Sequence, residues 1–128
     1  MAVLADDLVF DRKDQLEKIE GFCLPDEVIR AVFDLKGAAT GFLGITDRRV
    51  IYYDKSLVTE RKAMISIPYS RMSMVGSEDD KGHIIKKGFF VTGRLTVSGL
   101  GFEDRTFEFR GGDKAHIAHQ IISEYLLQ

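Results

Sequence analysis

The stretch Gly41-Phe42-Leu43-Gly44-Ile45-Thr46-Asp47-Arg48-Arg49-Val50-Ile51-Tyr52-Tyr53-Asp54 constrains the fold more than any other part of the chain. Two short runs rich in β-branched and aromatic residues flank four polar residues with the chemistry of a tight turn. The stretch therefore reads as two β-strands joined at Thr46-Asp47-Arg48-Arg49. Upstream, from Glu27, the hydrophobic period is also two: Ile29, Ala31, Phe33 and Leu35 point one way, Arg30 and Asp34 the other. Residues 36–40, with Gly37 and two alanines, form the connection between these strands.

The same period recurs downstream. Residues 54–62 read as a charged loop, and a strand follows over 64–69. Pro68 cannot donate to a ladder and so marks an edge or a bulge in it. Residues 71–78 continue the sheet up to the polar turn 79–82. Phe89-Phe90-Val91, flanked by Gly88 and Gly93, leads into Arg94-Leu95-Thr96-Val97-Ser98. Gly99-Leu100-Gly101 turns the chain, and Arg105-Thr106-Phe107-Glu108-Phe109 alternates cleanly. Gly111-Gly112 ends that strand, and Asp113 is suited to cap a helix. Ile117, Ala118, Ile121, Ile122 and Tyr125 lie at helical spacing. The expectation is seven strands and a closing helix.

Before the first of these strands, residues 6–20 read as a short charged helix. Leu16 and Ile19 share one face, and Gly21 is its expected stop. So narrow an apolar stripe does not hold a helix alone, so this one must dock on the body or on a neighbouring subunit. Pro25-Asp26 marks the turn into the rest of the chain.

Two motifs, Gly-Phe-Leu-Gly-Ile-Thr-Asp-Arg-Arg-Val at 41–50 and Ile-Pro-Tyr-Ser-Arg-Met at 67–72, together with this order of elements, resemble the small bacterial pleckstrin-homology-like domains. GRAM-type domains, built on the same barrel, begin with a similar glycine, threonine and aromatic strand. The resemblance implies a mainly β fold: a partly open seven-stranded antiparallel barrel capped by a C-terminal helix and preceded by a short N-terminal one. Residues 24–128 would form the pleckstrin-homology-like domain and residues 1–23 an acidic helix and linker. It also implies a binding or assembly scaffold more often than an enzyme, with ring-forming oligomers among the small bacterial relatives.

Composition bounds the function. A chain of 128 residues, 45% hydrophobic and 30% charged, can bury a core as one domain. The net charge of −2 offers no general attraction to phosphate-rich partners, basic residues are interleaved with acids, and no recognition helix is evident, so nucleic acid is not an expected partner. The charge is uneven. Residues 1–34 carry nine acids and four bases, a balance of −5, which leaves +3 for residues 35–128. The single cysteine, Cys23, allows no internal disulfide or multi-cysteine zinc site. The first residues lack a basic leader with an apolar core, and nothing approaches the ~20 apolar residues of a membrane span. A cytoplasmic protein is expected.

Candidate chemistry is sparse. Thr46 and Asp47 are accounted for by turn hydrogen bonds, with Arg48 and Arg49 solvated or paired to neighbours. Domains of this fold that hold phosphoinositides usually gather basic residues around their first hairpin, whereas here that connection contributes Lys36 alone, so specific phosphoinositide binding is not expected. Lys81, Lys86 and Lys87, with His83, form a candidate anion-binding loop. At about 1 kcal/mol per lysine, offset by Glu78, Asp79 and Asp80, it supports weak contact with anionic membranes. His116 and His119, at i, i+3 on the closing helix with Glu124 beyond, are two ligands without a third and read as surface histidines. Cys23, between Phe22 and Leu24, reads as an inert thiol. No nucleotide loop, nucleophile elbow or zinc helix occurs, so no catalytic residue, metal or cofactor is expected. The leading expectation is a non-enzymatic scaffold that forms a homo-oligomer, with another protein as a further possible partner. Its candidate edge is the uncharged run Phe89-Phe90-Val91. The alternative is a membrane-peripheral module.

Overall fold

In a computed structural model, residues 2–36, 41–55, 62–79, 92–111 and 113–128 are described. They form two compact units, Met1–Tyr69 and Ser70–Gln128.

The first unit contains β1 (Val3–Phe10), α1 (Lys13–Phe22), β2 (Val28–Asp34), β3 (Phe42–Thr46), β4 (Arg49–Lys55) and β5 (Lys62–Pro68). They make one five-stranded sheet in the order β1-β2-β3-β4-β5. The pairs from β2 to β5 are antiparallel, as adjacent short connections require. β1 pairs with β2 in parallel, with α1 as the crossover that parallel neighbours need.

The N-terminal segment departs from the sequence expectation. The helix expected over 6–20 begins only at Lys13, after Arg12 in an extended conformation, and runs to Phe22. Residues 3–10 form a strand that the acidic pair Asp6-Asp7 had concealed within a charged pattern. Val3, Leu4, Val9 and Phe10 are good strand formers, and pairing with β2 satisfies their backbone. The acids sit in an irregularity between Leu4 and Val9, and Asp7 reaches Arg30 of β2 at 3.2 Å. The arrangement is thus eight described strands, not seven, and not wholly antiparallel; the expected seven correspond to β2 and its successors. Gly21 lies inside α1. The helix ends where Pro25 forbids a helical residue at position 24, and the Cys23 N–H closes the last turn on the carbonyls of Ile19 and Glu20.

α1 docks on the sheet of its own chain. Leu16 and Ile19 are buried in a cluster with Ile29, Val32, Phe42, Ile51 and Tyr53, against which Ala2, Leu8, Cys23 and Met64 also pack. Gln15 Nε2 donates to Asp34 Oδ1 at 2.8 Å, and the Lys18 ammonium lies 4.9 Å from the centre of the Tyr53 ring. Gly44 gives α1 its seat. A Cβ at this position would lie 2.9–3.1 Å from three carbons of Ile19, which is fully buried and cannot swing aside. Gly44→Ala is expected to cost about 1–3 kcal/mol by overpacking. Ile19→Val, which removes the nearest carbon, should recover part of that loss in the double variant, as read from denaturant midpoints. Additive losses would show that α1 is seated elsewhere.

The second unit contains β6 (Met72–Asp79), β7 (Thr92–Gly99), β8 (Phe102–Arg110) and α2 (Lys114–Leu126), preceded by a single 3-10 turn at Tyr69–Arg71. Its strands form an antiparallel sheet in the order β6-β7-β8. Gly101, at φ +87°, supplies the left-handed residue of the hairpin between β7 and β8. Leu95, Val97, Phe107 and Phe109 are buried from this sheet, and Ala115, Ala118, Ile121 and Ile122 from α2. The stripe of α2 is therefore rotated from the one expected: Ile117 and Tyr125 are only half-buried, and Ala115 takes a core position. Asp113 precedes the helix as expected, but its side chain makes no capping hydrogen bond. Among the described residues, strand pairing thus divides between a sheet of five strands and a sheet of three.

Candidate functional site

The turn that dominates the sequence is held by a buried ion pair. Glu27, immediately before β2, is fully buried. Its Oε1 accepts hydrogen bonds from Arg49 Nη2 at 2.8 Å and from the Leu24 N–H at 2.9 Å. Its Oε2 accepts from Arg49 Nε at 2.9 Å and from the Thr46 hydroxyl at 2.6 Å. The guanidinium thus grips the carboxylate with two parallel bonds, the strongest geometry open to such a pair. Arg49 Nη1 goes on to Ser66 Oγ of β5 at 2.8 Å, and the Phe22 ring lies 5.5 Å from the guanidinium carbon.

Thr46 Oγ1 also accepts from the N–H groups of Arg48 and Arg49, each at 3.1 Å. Asp47 Oδ1 accepts from the Val28 N–H at 2.9 Å, and the Tyr69 hydroxyl donates to the Thr46 carbonyl at 2.6 Å. The structural reading of Thr46 and Asp47 therefore holds, and Arg49 pairs with a neighbour. Sequence reasoning missed Glu27, because its partner stands 22 residues away. An acidic residue that opens an apolar strand was the available signal.

Burial opposes ionisation of Glu27, yet the hydrogen bonds from Arg49, Thr46 and the Leu24 N–H prevail and hold its carboxyl at about 2. Cys23, half-buried beside this carboxylate, is pushed up to about 11 by burial and by the negative charge of Glu27. At neutral pH it is a thiol and a poor nucleophile. The network ties the backbone N–H groups of Leu24, Val28, Arg48 and Arg49 to the side chains of Glu27, Asp47 and Thr46. The site is structural.

The three-stranded sheet offers an open cavity of about 320 Å³, lined by Met74, Gly76, Ser77, Glu78, Arg94 and Thr96. Gly76 has no atom within 4 Å of where a Cβ would stand, so its missing side chain leaves the floor of the cavity low. Arg94 lies between Glu78 at 3.2 Å and Glu108 at 3.7 Å. Two carboxylates around one guanidinium leave no net attraction for an anion.

His116 is exposed and His119 half-buried, and both turn Nδ1 toward Ser77 Oγ of β6 at 2.7 Å. The sequence placed the histidines together but had no sign of the serine. The candidate edge Phe89, Phe90 and Val91, the candidate anion loop Lys81, Lys86 and Lys87, and His83 lie outside the described residues. Among the described residues, no group of three or more His, Cys, Asp or Glu side chains is placed to hold a metal, and no helix is long and apolar enough to cross a membrane.

No protein-family model and no curated protein matches the chain. Solved structures do. A pleckstrin homology domain from Shewanella amazonensis SB2B is 22% identical, with a TM-score of 0.64, and the match covers 92% of this chain and 100% of that one. A DUF1696-family protein with a pleckstrin-homology domain from Shewanella loihica PV-4 is 18% identical, with a TM-score of 0.61 over 91% and 94% of the two chains. The C-terminal domain of an unknown protein from Leishmania infantum follows at 14% identity and a TM-score of 0.52, again over 91% and 94%. At these identities the likeness speaks of architecture, and with the strand order and closing helix already described it shows that this chain has the bacterial pleckstrin-homology-like fold.

Proposed function

We propose that the protein is a non-enzymatic scaffold that self-assembles into a homo-oligomer through its N-terminal segment, in a ring arrangement. The observation that carries this reading is where its exposed apolar side chains lie. Of the nine large hydrophobic residues exposed among the described ones, six (Val3, Leu4, Val9, Phe10, Phe22 and Leu24) fall within residues 3–24. Scattered single exposures need no explanation, but a concentration in one short segment does.

The occupant that fits is a second copy of the chain. Residues 1–34 carry −5 and residues 35–128 carry +3, so the acidic segment of one copy complements the remainder of the next. A contact between unlike surfaces is head-to-tail and closes into a ring when its rotation permits. β1 ends its sheet, yet its centre is irregular and bears Asp6 and Asp7, both of which discourage strand-to-strand pairing. The contact is therefore made chiefly by side chains. Phe89-Phe90-Val91 enters the proposal as a second contact from its sequence alone.

Size-exclusion chromatography with light scattering tests the reading. The wild-type protein should elute as a multimer. Phe10→Asp places a charge in the apolar segment at a position already 43% exposed, and should give a smaller species with an unchanged circular dichroism spectrum. A wild-type protein that stays monomeric at high concentration would end the scaffold reading. Sedimentation with anionic liposomes addresses the alternative. Any attachment through Lys81, Lys86 and Lys87 should be weak and should fade between low and high salt. Saturable, headgroup-selective binding that persists at high salt would favour a membrane module instead.

A further inference from the structure

The convergence of His116, His119 and Ser77 is unabsorbed by the scaffold reading and independent of it. Two imidazole nitrogens from one face of α2 point at one hydroxyl oxygen on the strand beneath, each at 2.7 Å. A serine hydroxyl has one hydrogen to give and two lone pairs. It can donate to one Nδ1 only, so the second imidazole must supply its own hydrogen to complete the second bond. The cluster is satisfied without a ligand only when two hydrogens are distributed over three heavy atoms. With each imidazole carrying its hydrogen on Nε2 and the serine hydrogen turned outward, two Nδ1 lone pairs and a hydroxyl oxygen face one point.

We propose that Ser77, His116 and His119 form a binding site for a divalent transition-metal ion of the zinc and copper class. Imidazole nitrogen suits these ions, and hard cations such as magnesium or calcium prefer sets of oxygens. The two histidines are the principal ligands. Ser77 supplies a third donor from β6, so the ion bridges α2 to its sheet, and water completes the coordination at this partly exposed position. With two nitrogens and one hydroxyl the site ranks copper(II) above zinc(II), following the usual order of affinities for divalent ions.

Isothermal titration of the full-length protein with zinc chloride, and separately with copper(II) chloride, in chelator-free buffer tests the proposal. Saturable binding of one ion per chain is expected, tighter for copper. His116→Ala and His119→Ala should each weaken binding by at least ~10-fold with circular dichroism unchanged. Ser77→Ala should weaken it measurably and reduce the rise in melting temperature that metal binding produces. If an alanine variant misfolds, His116→Gln or His119→Gln retains a hydrogen-bonding side chain and serves in its place. Absence of saturable binding to the wild type would overturn the proposal, as would binding that survives unchanged in either histidine variant.

Discussion

Replacing Arg49 with methionine is expected to destabilise the protein by about 3–5 kcal/mol, the usual cost of stranding one member of a buried ion pair. At this chain length that is a fall in melting temperature on the order of 10–20 °C. Glu27 would keep its bonds from Thr46 and the Leu24 N–H but would face full burial without a counter-charge. Arg49→Lys should fall between the two, because an ammonium cannot reproduce the paired bonds of Nε and Nη2. The double variant Glu27→Leu with Arg49→Met should recover much of the loss, since it removes the charge along with its partner. A double variant as unstable as Arg49→Met would show that the pair does more than neutralise itself.

The same pair makes the stability of the fold depend on pH in acid. Glu27 is held at about 2 against an ordinary value of 4.5, so the unfolded chain takes up a proton before the folded one does. The stabilisation is complete above about pH 4.5 and is withdrawn as pH falls through the folded value near 2. Arg49→Met, lacking the bonds that lower Glu27, should show a flatter decline over that window in denaturant midpoints measured from pH 5 to pH 2.

Ile121→Asp should have a still larger effect. Ile121 is buried on α2 with Ala118 and Ile122, in the unit whose sheet buries Leu95, Val97, Phe107 and Phe109. An ionised carboxylate there has no partner, and keeping it protonated costs several kcal/mol and still leaves a hydroxyl to satisfy. Soluble folded protein should be lost. Ile117→Asp, at a half-buried position on the same helix, is the control and should be tolerated far better. Soluble Ile121→Asp protein with unchanged circular dichroism would mean that α2 does not cover this sheet.

How much of this could be read from the residues depends on the range of the interaction. Period-two alternation, the Thr46–Arg49 turn and the glycine breaks are properties of neighbours in sequence, so β2 and the strands after it were legible, as was α2. Where alternation met a competing local signal it misled. Asp6 and Asp7 made 3–10 resemble part of a charged helix, and only pairing with β2 decides that this segment is a strand. The face of α2 was similarly ambiguous, because a stripe of apolar residues does not say which of its edges meets the sheet. Contact with β6 and its neighbours turns Ala115 and Ala118 inward and leaves Ile117 half-buried.

The chemistry was less legible still. Glu27 and Arg49 are 22 residues apart, and Ser77 stands 42 residues from His119. No local pattern encodes either pairing. By itself the sequence determined β2, the strands after it and α2, with their order, since those follow from short-range period and residue chemistry. Only the tertiary structure decided that Glu27 is a buried anion clamped by Arg49, that α1 rests on Gly44, and that two histidines share one hydroxyl. Each of these is a meeting of side chains brought together by strand register and helix packing, and distance along the chain carries no record of it.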